Sequence, residues 1–398
     1  MKAPFFSPIL AMTLLLSPAA TVQAEEPVGV EIGKQGVPNF IARLEKDRKA
    51  HVAFIGGSIT QKESGHVGKV SAWLQEEWPD VEFTFTNAGL SSTCSVSGAF
   101  RLQRDVLSKG QVDLLIVEFA VNDDQDAEHD RKTAIRGLEG IIRQYFNANP
   151  KGDVISVQFV NKPMLEKIQA GEEAVSASAH KAVARHYGLA IADVGQALAT
   201  EIKDGRMTWE DDYKNVHPSD KGYEFATGLI THILDKTISG ETPTPVALPA
   251  PLDSGSYFNA VAVDPQKLDW LGGWKWARVS RDLLPVGGIR EQYEPYPALR
   301  SDEAGSYLYY AFQGTMLGAF VLAGPDAGSL EISVDKGEWK EVQLYHDRYS
   351  KGLNYPRSVI LADDLPRGYH QVAIRVSEKK PERSQSKTAT ILFFEVNQ

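Results

Sequence analysis

Between residues 50 and 238, short apolar runs alternate with stretches whose apolar residues recur every three or four positions. His51-Val-Ala-Phe-Ile-Gly-Gly57 is an apolar run closed by two glycines, the pattern of a buried strand. The spacing then predicts a helix over 69–78, a strand over 81–87 and a helix over 99–107. Residues 112–119, VDLLIVEF, are almost entirely apolar, as a strand covered on both faces requires. Ile135, Leu138, Ile141, Ile142 and Tyr145 repeat at helical spacing. A strand over 154–160, a helix over 177–187 and a strand over 189–194 follow. Tyr223, Ala226, Leu229, Ile230 and Ile233 mark a closing helix. Strands that alternate with helices predict a parallel sheet with helices on both faces.

The pattern changes at residues 239–255. Gly240-Glu-Thr-Pro-Thr-Pro and Leu248-Pro-Ala-Pro read as a proline-rich, semi-rigid extended linker. Beyond it the helical period disappears. Short runs beginning at Tyr307, Leu330, Val342, Gln371 and Thr390 read as strands between turns, with Asp335-Lys-Gly-Glu as a hairpin turn. They predict a small β-sandwich. The expected organisation is a leader over 1–24, an α/β domain over 25–239, a linker over 240–255 and an all-β domain over 256–398.

The leader carries Lys2, an apolar run from Phe5 to Leu16, and the small-x-small site Val22-Gln23-Ala24. This is the build of a secretory signal peptide cleaved near Ala24, so the expected location is secreted or periplasmic. Pro8 and Pro18 interrupt the run, and no other segment suggests a membrane span. Two domains fit a chain of 398 residues. A net charge of -10 argues against a nucleic-acid partner. The single cysteine, Cys94, excludes an intramolecular disulfide and a Cys-only metal site.

Four loops follow predicted strands or precede the closing helix, at the sheet edge where open parallel sheets bind ligands. Gly56-Gly57-Ser58-Ile59-Thr60 exposes a serine hydroxyl at a helix or turn start, where backbone N–H groups can stabilise an anion. The plain alternative is a helix-capping serine. Asn87-Ala-Gly89-Leu-Ser-Ser92-Thr allows close backbone approach, or is an ordinary polar loop. Ala120-Val-Asn122-Asp123 delivers an amide to the same edge, either as an oxyanion donor or as an Asx-turn. In Asn215-Val-His217-Pro218-Ser-Asp220, His217 is a general base for a serine or a structural histidine.

GGSIT, NAGLSST, AVND and VHPSDKGY together resemble the four sequence blocks of the SGNH (GDSL-type) hydrolase superfamily. The resemblance covers about residues 50–238 and implies a flavodoxin-like three-layer α/β/α domain with esterase activity. It places Ser58 as nucleophile and His217 as base. It makes the Ser58 and Ser92 backbone N–H groups and the Asn122 amide the oxyanion hole, with Gly89 as an alternative donor. No metal and no organic cofactor is implied. Three positions depart from the pattern. Ser92 stands where the second block has glycine, and Ala120 replaces the first glycine of the third. Lys214 occupies the position of the aspartate three residues before the histidine. Either Asp212 (or Asp211) orients His217 from slightly upstream, or a backbone carbonyl does so and the site is a Ser–His dyad.

The acidic run Asp123, Asp124, Asp126, Glu128 and Asp130 reads as a solvated helix start, with a calcium site as the alternative. Cys94 reads as a packing residue, and His66, His129 and His180 as structural or surface residues. Trp270, Trp274 and Trp276 read as core or interdomain packing, with sugar stacking as the alternative. Residues 163–175 are a candidate rim or lid. A signal peptide, an acidic chain and an appended jelly-roll-like sandwich resemble secreted bacterial carbohydrate esterases. The expected function is removal of O-acetyl groups from an oligosaccharide or polysaccharide. A non-catalytic glycan-binding protein and an O-acetyltransferase are the alternatives.

Overall fold

The computed structural model describes residues 26–398 except 35, 241 and 269, so the leader lies outside the described residues. The first domain holds strands β1 (Val30–Glu31), β2 (Lys49–Gly56), β3 (Glu82–Gly89), β4 (Leu114–Glu118), β5 (Asp153–Gln158) and β6 (Ala190–Asp193). Its helices are α1 (Pro38–Lys46), α2 (Ser58–Gln61), α3 (His66–Glu77), α4 (Ser95–Asp105) and α5 (Ala120–Gln125). They continue as α6 (Arg131–Ala148), α7 (Lys162–Gln169), α8 (Val175–Tyr187), α9 (Val194–Lys203) and α10 (Asp220–Lys236).

The sheet order is β1-β6-β5-β4-β2-β3, parallel except for the antiparallel edge strand β1. Without β1, the five parallel strands run 2-1-3-4-5, the flavodoxin-like order. In that order the crossover direction reverses between β2 and β4, and the crevice at their carboxyl ends is where such sheets bind ligands. Alternate residues of a strand point to opposite faces. Val52, Phe54, Leu114 and Ile116 accordingly join one core cluster, and Ala53, Ile55, Leu115 and Val117 the other. Both faces are apolar because helices cover both.

Several elements escaped the hydrophobic pattern, four of them in the frame of the first domain. β1 spans two residues, too short to show a period. α1 starts at Pro38, where proline suits a helix start, and buries Phe40, Ile41 and Leu44. α9 begins where β6 ends, so its apolar residues merge with the strand; Asp193 caps it through Gln196 N at 2.9 Å. α7 occupies most of the proposed rim, with Met164 and Leu165 buried, so this segment is a packed helix and not a lid.

The second domain is a sandwich of two antiparallel sheets. Asp335 and Lys336 take φ of 49° and 60° between the paired strands Ser329–Val334 and Lys340–Gln343. Positive φ at both central residues is what a two-residue type I′ hairpin requires. Leu317, Val321, Leu330, Ile374, Ile391 and Phe394 fill the space between the sheets. Trp274 is buried and Trp276 partly exposed, and the Trp270 side chain lies outside the described residues.

The proline-rich segment is a strap, not a free spacer. Val246 N donates to Pro150 O at 2.7 Å, and Arg143 donates to Pro249 O at 2.9 Å. The Leu252 and Asp253 N–H groups donate to Glu139. Arg136 of α6 completes the junction. Its guanidinium reaches Asp363 at 2.7 Å and Asp364 at 2.6 Å on the sandwich, and Asp253 at 3.0 Å on the strap. Breaking a buried ion pair by removing one partner leaves uncompensated charge. Arg136→Met is therefore expected to destabilise the chain by on the order of 3 kcal/mol, seen as a lower midpoint in thermal unfolding. An unchanged midpoint would show that the three carboxylates are adequately solvated without it.

Candidate active site

β2 ends at Gly56, and α2 starts at Ser58 with Gly57 as its N-cap. The Ser58 N–H is thus among the donors that a helix start leaves without an intrahelical partner. Asn122 lies on α5 directly after β4, and Gly57 is what lets the two loops meet. A Cβ at Gly57 would fall 2.1 Å from Asn122 Oδ1. The amide is held by Asn122 Nδ2 donating to Asp126 Oδ2 at 2.7 Å, one turn on, and both residues are buried.

The turn at Trp209–Tyr213 and the cap of α10 bring in His217. Its backbone N–H donates to Asn215 Oδ1 at 2.8 Å, and Ser219 caps α10 through Gly222 N at 3.1 Å. The ring crosses to β2: His217 Nε2 and Ser58 Oγ are 2.7 Å apart. Partial desolvation lowers the His217 pKa below the ordinary 6.5; Asp126 opposes this, while Lys62 and Arg290 add to it. The imidazole is therefore neutral at neutral pH and free to accept the serine proton.

Asp212 does not reach His217. Its carboxylate accepts from Thr208 N at 2.6 Å and pairs with Lys221 at 2.7 Å. Among the described residues, His217 Nδ1 has no hydrogen-bond partner, carboxylate or carbonyl, and Asp126 acts on the ring through charge alone. An orienting aspartate in a catalytic triad is worth on the order of 10⁴ in kcat, whereas Asp212→Ala is expected to leave kcat/KM within about tenfold of the parent. Steady-state kinetics decide this, and a thousandfold loss would make Asp212 the orienting group.

The loop after β3 places Ser92 and Gly89 differently. The Gly89 N–H is engaged by Asn87 Oδ1 at 2.9 Å, so it is not a free donor. Gly89 serves a close approach instead, since a Cβ there would lie 2.2 Å from Gln61 N. Leu90 N donates to Gly56 O, Ser91 N to Gln61 Oε1 and Thr93 N to Leu90 O. The Ser92 N–H has no protein acceptor among the described residues. Ser92 takes φ of 69°, the left-handed conformation glycine adopts at least cost, which explains why glycine is the usual residue here.

What holds Ser92 in that conformation comes from the other domain. Arg290 donates to Ser92 Oγ at 2.7 Å, and Tyr355 Oη donates to Ser92 O at 3.4 Å. Tyr349 Oη donates to Asp126 Oδ1, and His346 Nε2 bonds Asp126 O at 2.7 Å. The domains thus meet over the Ser92 loop and the residue behind Asn122. A cleft of about 410 Å³ between them reaches Ser92, Asp126 and His129.

The acidic run is a solvated helix start only at its end, where Glu128 and Asp130 are exposed. Asp123 and Asp126 are buried, and Asp130 caps α6 through Thr133 N at 2.8 Å. Asp123 accepts from Ser95 N at 2.7 Å, Ser95 Oγ at 2.5 Å and His180 Nε2 at 2.9 Å. Burial disfavours the Asp123 charge, but His129 and His180 outweigh it and hold the carboxyl well below its usual range. Burial likewise disfavours the His129 cation, yet Asp123 and Cys94 push its pKa up to about 10. Cys94, Asp123 and His129 offer donor atoms within 4.8 Å of one another. Asp123 and His129, 3.5 Å apart, form an internal ion pair beside the Cys94 thiol.

Residues 54–225 match the sequence profile described as GDSL-like Lipase/Acylhydrolase family. No curated protein matches the chain in sequence. Among solved structures, the chain is similar to a two-domain esterase (CEX) active on acetylated mannans, co-crystallised with mannopentaose. That likeness has a TM-score of 0.73 at 21% identity, over 93% of this chain and 97% of the other. A second structure described as such an esterase gives 0.71 at 22% identity, over 93% and 99%. At these identities the likeness is one of fold, and it extends over both domains. Over residues 54–225, most of its α/β domain, this chain is therefore similar in sequence to the GDSL-like lipase/acylhydrolase family.

Proposed function

We propose that the chain is an exported esterase that removes O-acetyl groups from a carbohydrate through an acyl-serine intermediate. The observation that carries this reading is the 2.7 Å contact between Ser58 Oγ and His217 Nε2, set beside the Asn122 amide. His217 Nε2 takes the Ser58 proton as Oγ attacks the ester carbonyl. The oxyanion is met by the Ser58 and Ser92 N–H groups and by Asn122 Nδ2. The proton on Nε2 passes to the departing sugar oxygen. Water, deprotonated by Nε2, then releases acetate and restores Ser58. The chain's own groups supply every proton transfer.

Two features support a short acyl group on a large substrate. His217 is exposed and Ser58 partly so, which leaves the nucleophile on an open surface. No lid segment covers them among the described residues, since 162–169 is a packed helix. The structurally similar two-domain esterase is active on acetylated mannans, which favours an acetylated oligosaccharide or polysaccharide here. The signal-like leader favours action outside the cytoplasm.

The test is acetate release from O-acetylated mannan, xylan and a simple aryl acetate, with free sugar acceptors omitted. Release from a glycan into water is the expected result. Glycan binding without acetate release would replace the esterase with a binding protein. Turnover only with an added acceptor would make it an acetyltransferase.

A further inference from the structure

Beneath the Ser58 loop lies a carboxylate that the acyl-transfer steps leave unused. Glu118 is the last residue of β4 and only 1% exposed. It pairs in register with Gly56, the last residue of β2. Its Oε2 accepts from Thr60 Oγ1 at 2.8 Å, and the Gly57 N–H lies close enough to favour the carboxylate's charge. Gly57 precedes Ser58 and Thr60 follows it by two residues, so one side chain grips the nucleophile from both sides. The fit depends on glycine: a Cβ at Gly56 would lie 2.6 Å from Glu118 Oε2 and 2.1 Å from Thr60 Oγ1. The other oxygen, Oε1, is buried with no partner among the described residues.

Given Ser58 as nucleophile, we propose that Glu118 is a positioning residue that fixes the Ser58 loop through Thr60, and that its ionised form does so best. The carboxylate accepts from Thr60 and sets its charge against the Gly57 N–H. A proton on Oε1 leaves the Thr60 bond but buries an O–H with no acceptor, and a proton on Oε2 competes with the Thr60 hydroxyl. Either placement weakens the hold on the loop.

The surroundings make this titration accessible. Burial is the largest influence and raises the pKa; Thr60 and Gly57 oppose it; Asp123 and Asp126 on α5 raise it further. Tyr213, before the His217 loop, and Tyr223, on α10, also face Glu118, and burial keeps both hydroxyls neutral. No cation is among the leading influences, and the Glu118 pKa is pushed up to about 7. His217 titrates lower, below 6.5. The acid limb of activity is therefore set by Glu118, with His217 hidden beneath it.

The experiment is the pH profile of kcat/KM for acetate release by the full chain, the Glu118→Gln and Thr60→Val variants, and Ser58→Ala. The parent is expected to lose activity with a midpoint near 7. Glu118→Gln is uncharged like the protonated acid and cannot titrate, so it is expected to show a lowered kcat across the range, with its remaining limb below 6.5, at His217. Thr60→Val removes a bond that lowers the Glu118 pKa, so its limb is expected to move up, with kcat lowered and KM unchanged. A Glu118→Gln limb that coincides with the parent's overturns the proposal. If Glu118→Gln does not fold, an unchanged kcat in Thr60→Val overturns it equally. Activity surviving in Ser58→Ala would instead sink the nucleophile reading on which it rests.

Discussion

Ser58→Ala is expected to lower kcat/KM for acetate release by about 10⁴- to 10⁶-fold, while the chain stays folded. The size follows from what the hydroxyl does. It is the atom that forms the covalent bond, and His217 Nε2, 2.7 Å away, has no other task until it exists. For the same reason His217→Ala is expected to cost nearly as much, and the double variant little more than either alone. Groups that act as one unit are not additive. The residual rate over water would come from the oxyanion donors, which neither change removes. Thermal unfolding checks that the loss is chemical, since Ser58 is partly exposed and its methyl replacement fills no core position. Ser58→Ala retaining more than about a hundredth of the activity would require a different nucleophile.

Asn122→Ala is the second large effect, expected at about 10²- to 10³-fold in kcat with little change in KM, the usual worth of one oxyanion donor. The split between kcat and KM matters because the amide is aimed at charge that exists only in the transition state. Asp126 makes the effect sharper than the loss of one bond. It fixes which way the amide faces, because a carboxylate accepts only from Nδ2 and never from Oδ1. Asn122→Asp is expected to be worse than Asn122→Ala, since it sets a second buried carboxyl against Asp126 and offers the oxyanion no amide donor. Pre-steady-state acylation measures both. An Asn122→Ala enzyme that loses only substrate affinity would remove Asn122 from the oxyanion hole.

The parts of this site visible in the sequence are those the sheet itself delivers. Ser58 follows β2, Asn122 follows β4 and His217 precedes α10, and apolar runs with glycine or proline beside them mark such places. The invisible parts depend on contacts across long stretches of chain. Asp126 sits among five acidic residues and looks solvated, yet Tyr349 and His346 from the sandwich bury it. Glu118 sits at the end of an apolar strand, where one charge reads as the strand's edge and not as a buried group. Asp212 is close to His217 in sequence, but Thr208 and Lys221 take its carboxylate first. Gly89 looked like a spare N–H donor, whereas its role is to admit Gln61. Spacing along the chain reports direction and exposure of single elements; it does not report which of several partners a side chain meets.

Ser92 keeps its left-handed turn with anchors that lie 198 and 263 residues further along, on Arg290 and Tyr355. A linker-joined module can be traded between proteins with little consequence for its neighbour. This sandwich cannot be exchanged in that way, because an unrelated replacement would arrive without the groups that hold a non-glycine residue in a conformation disfavoured for it. Glycine at this position would release one of these ties, while those at Asp126 and Arg136 would remain.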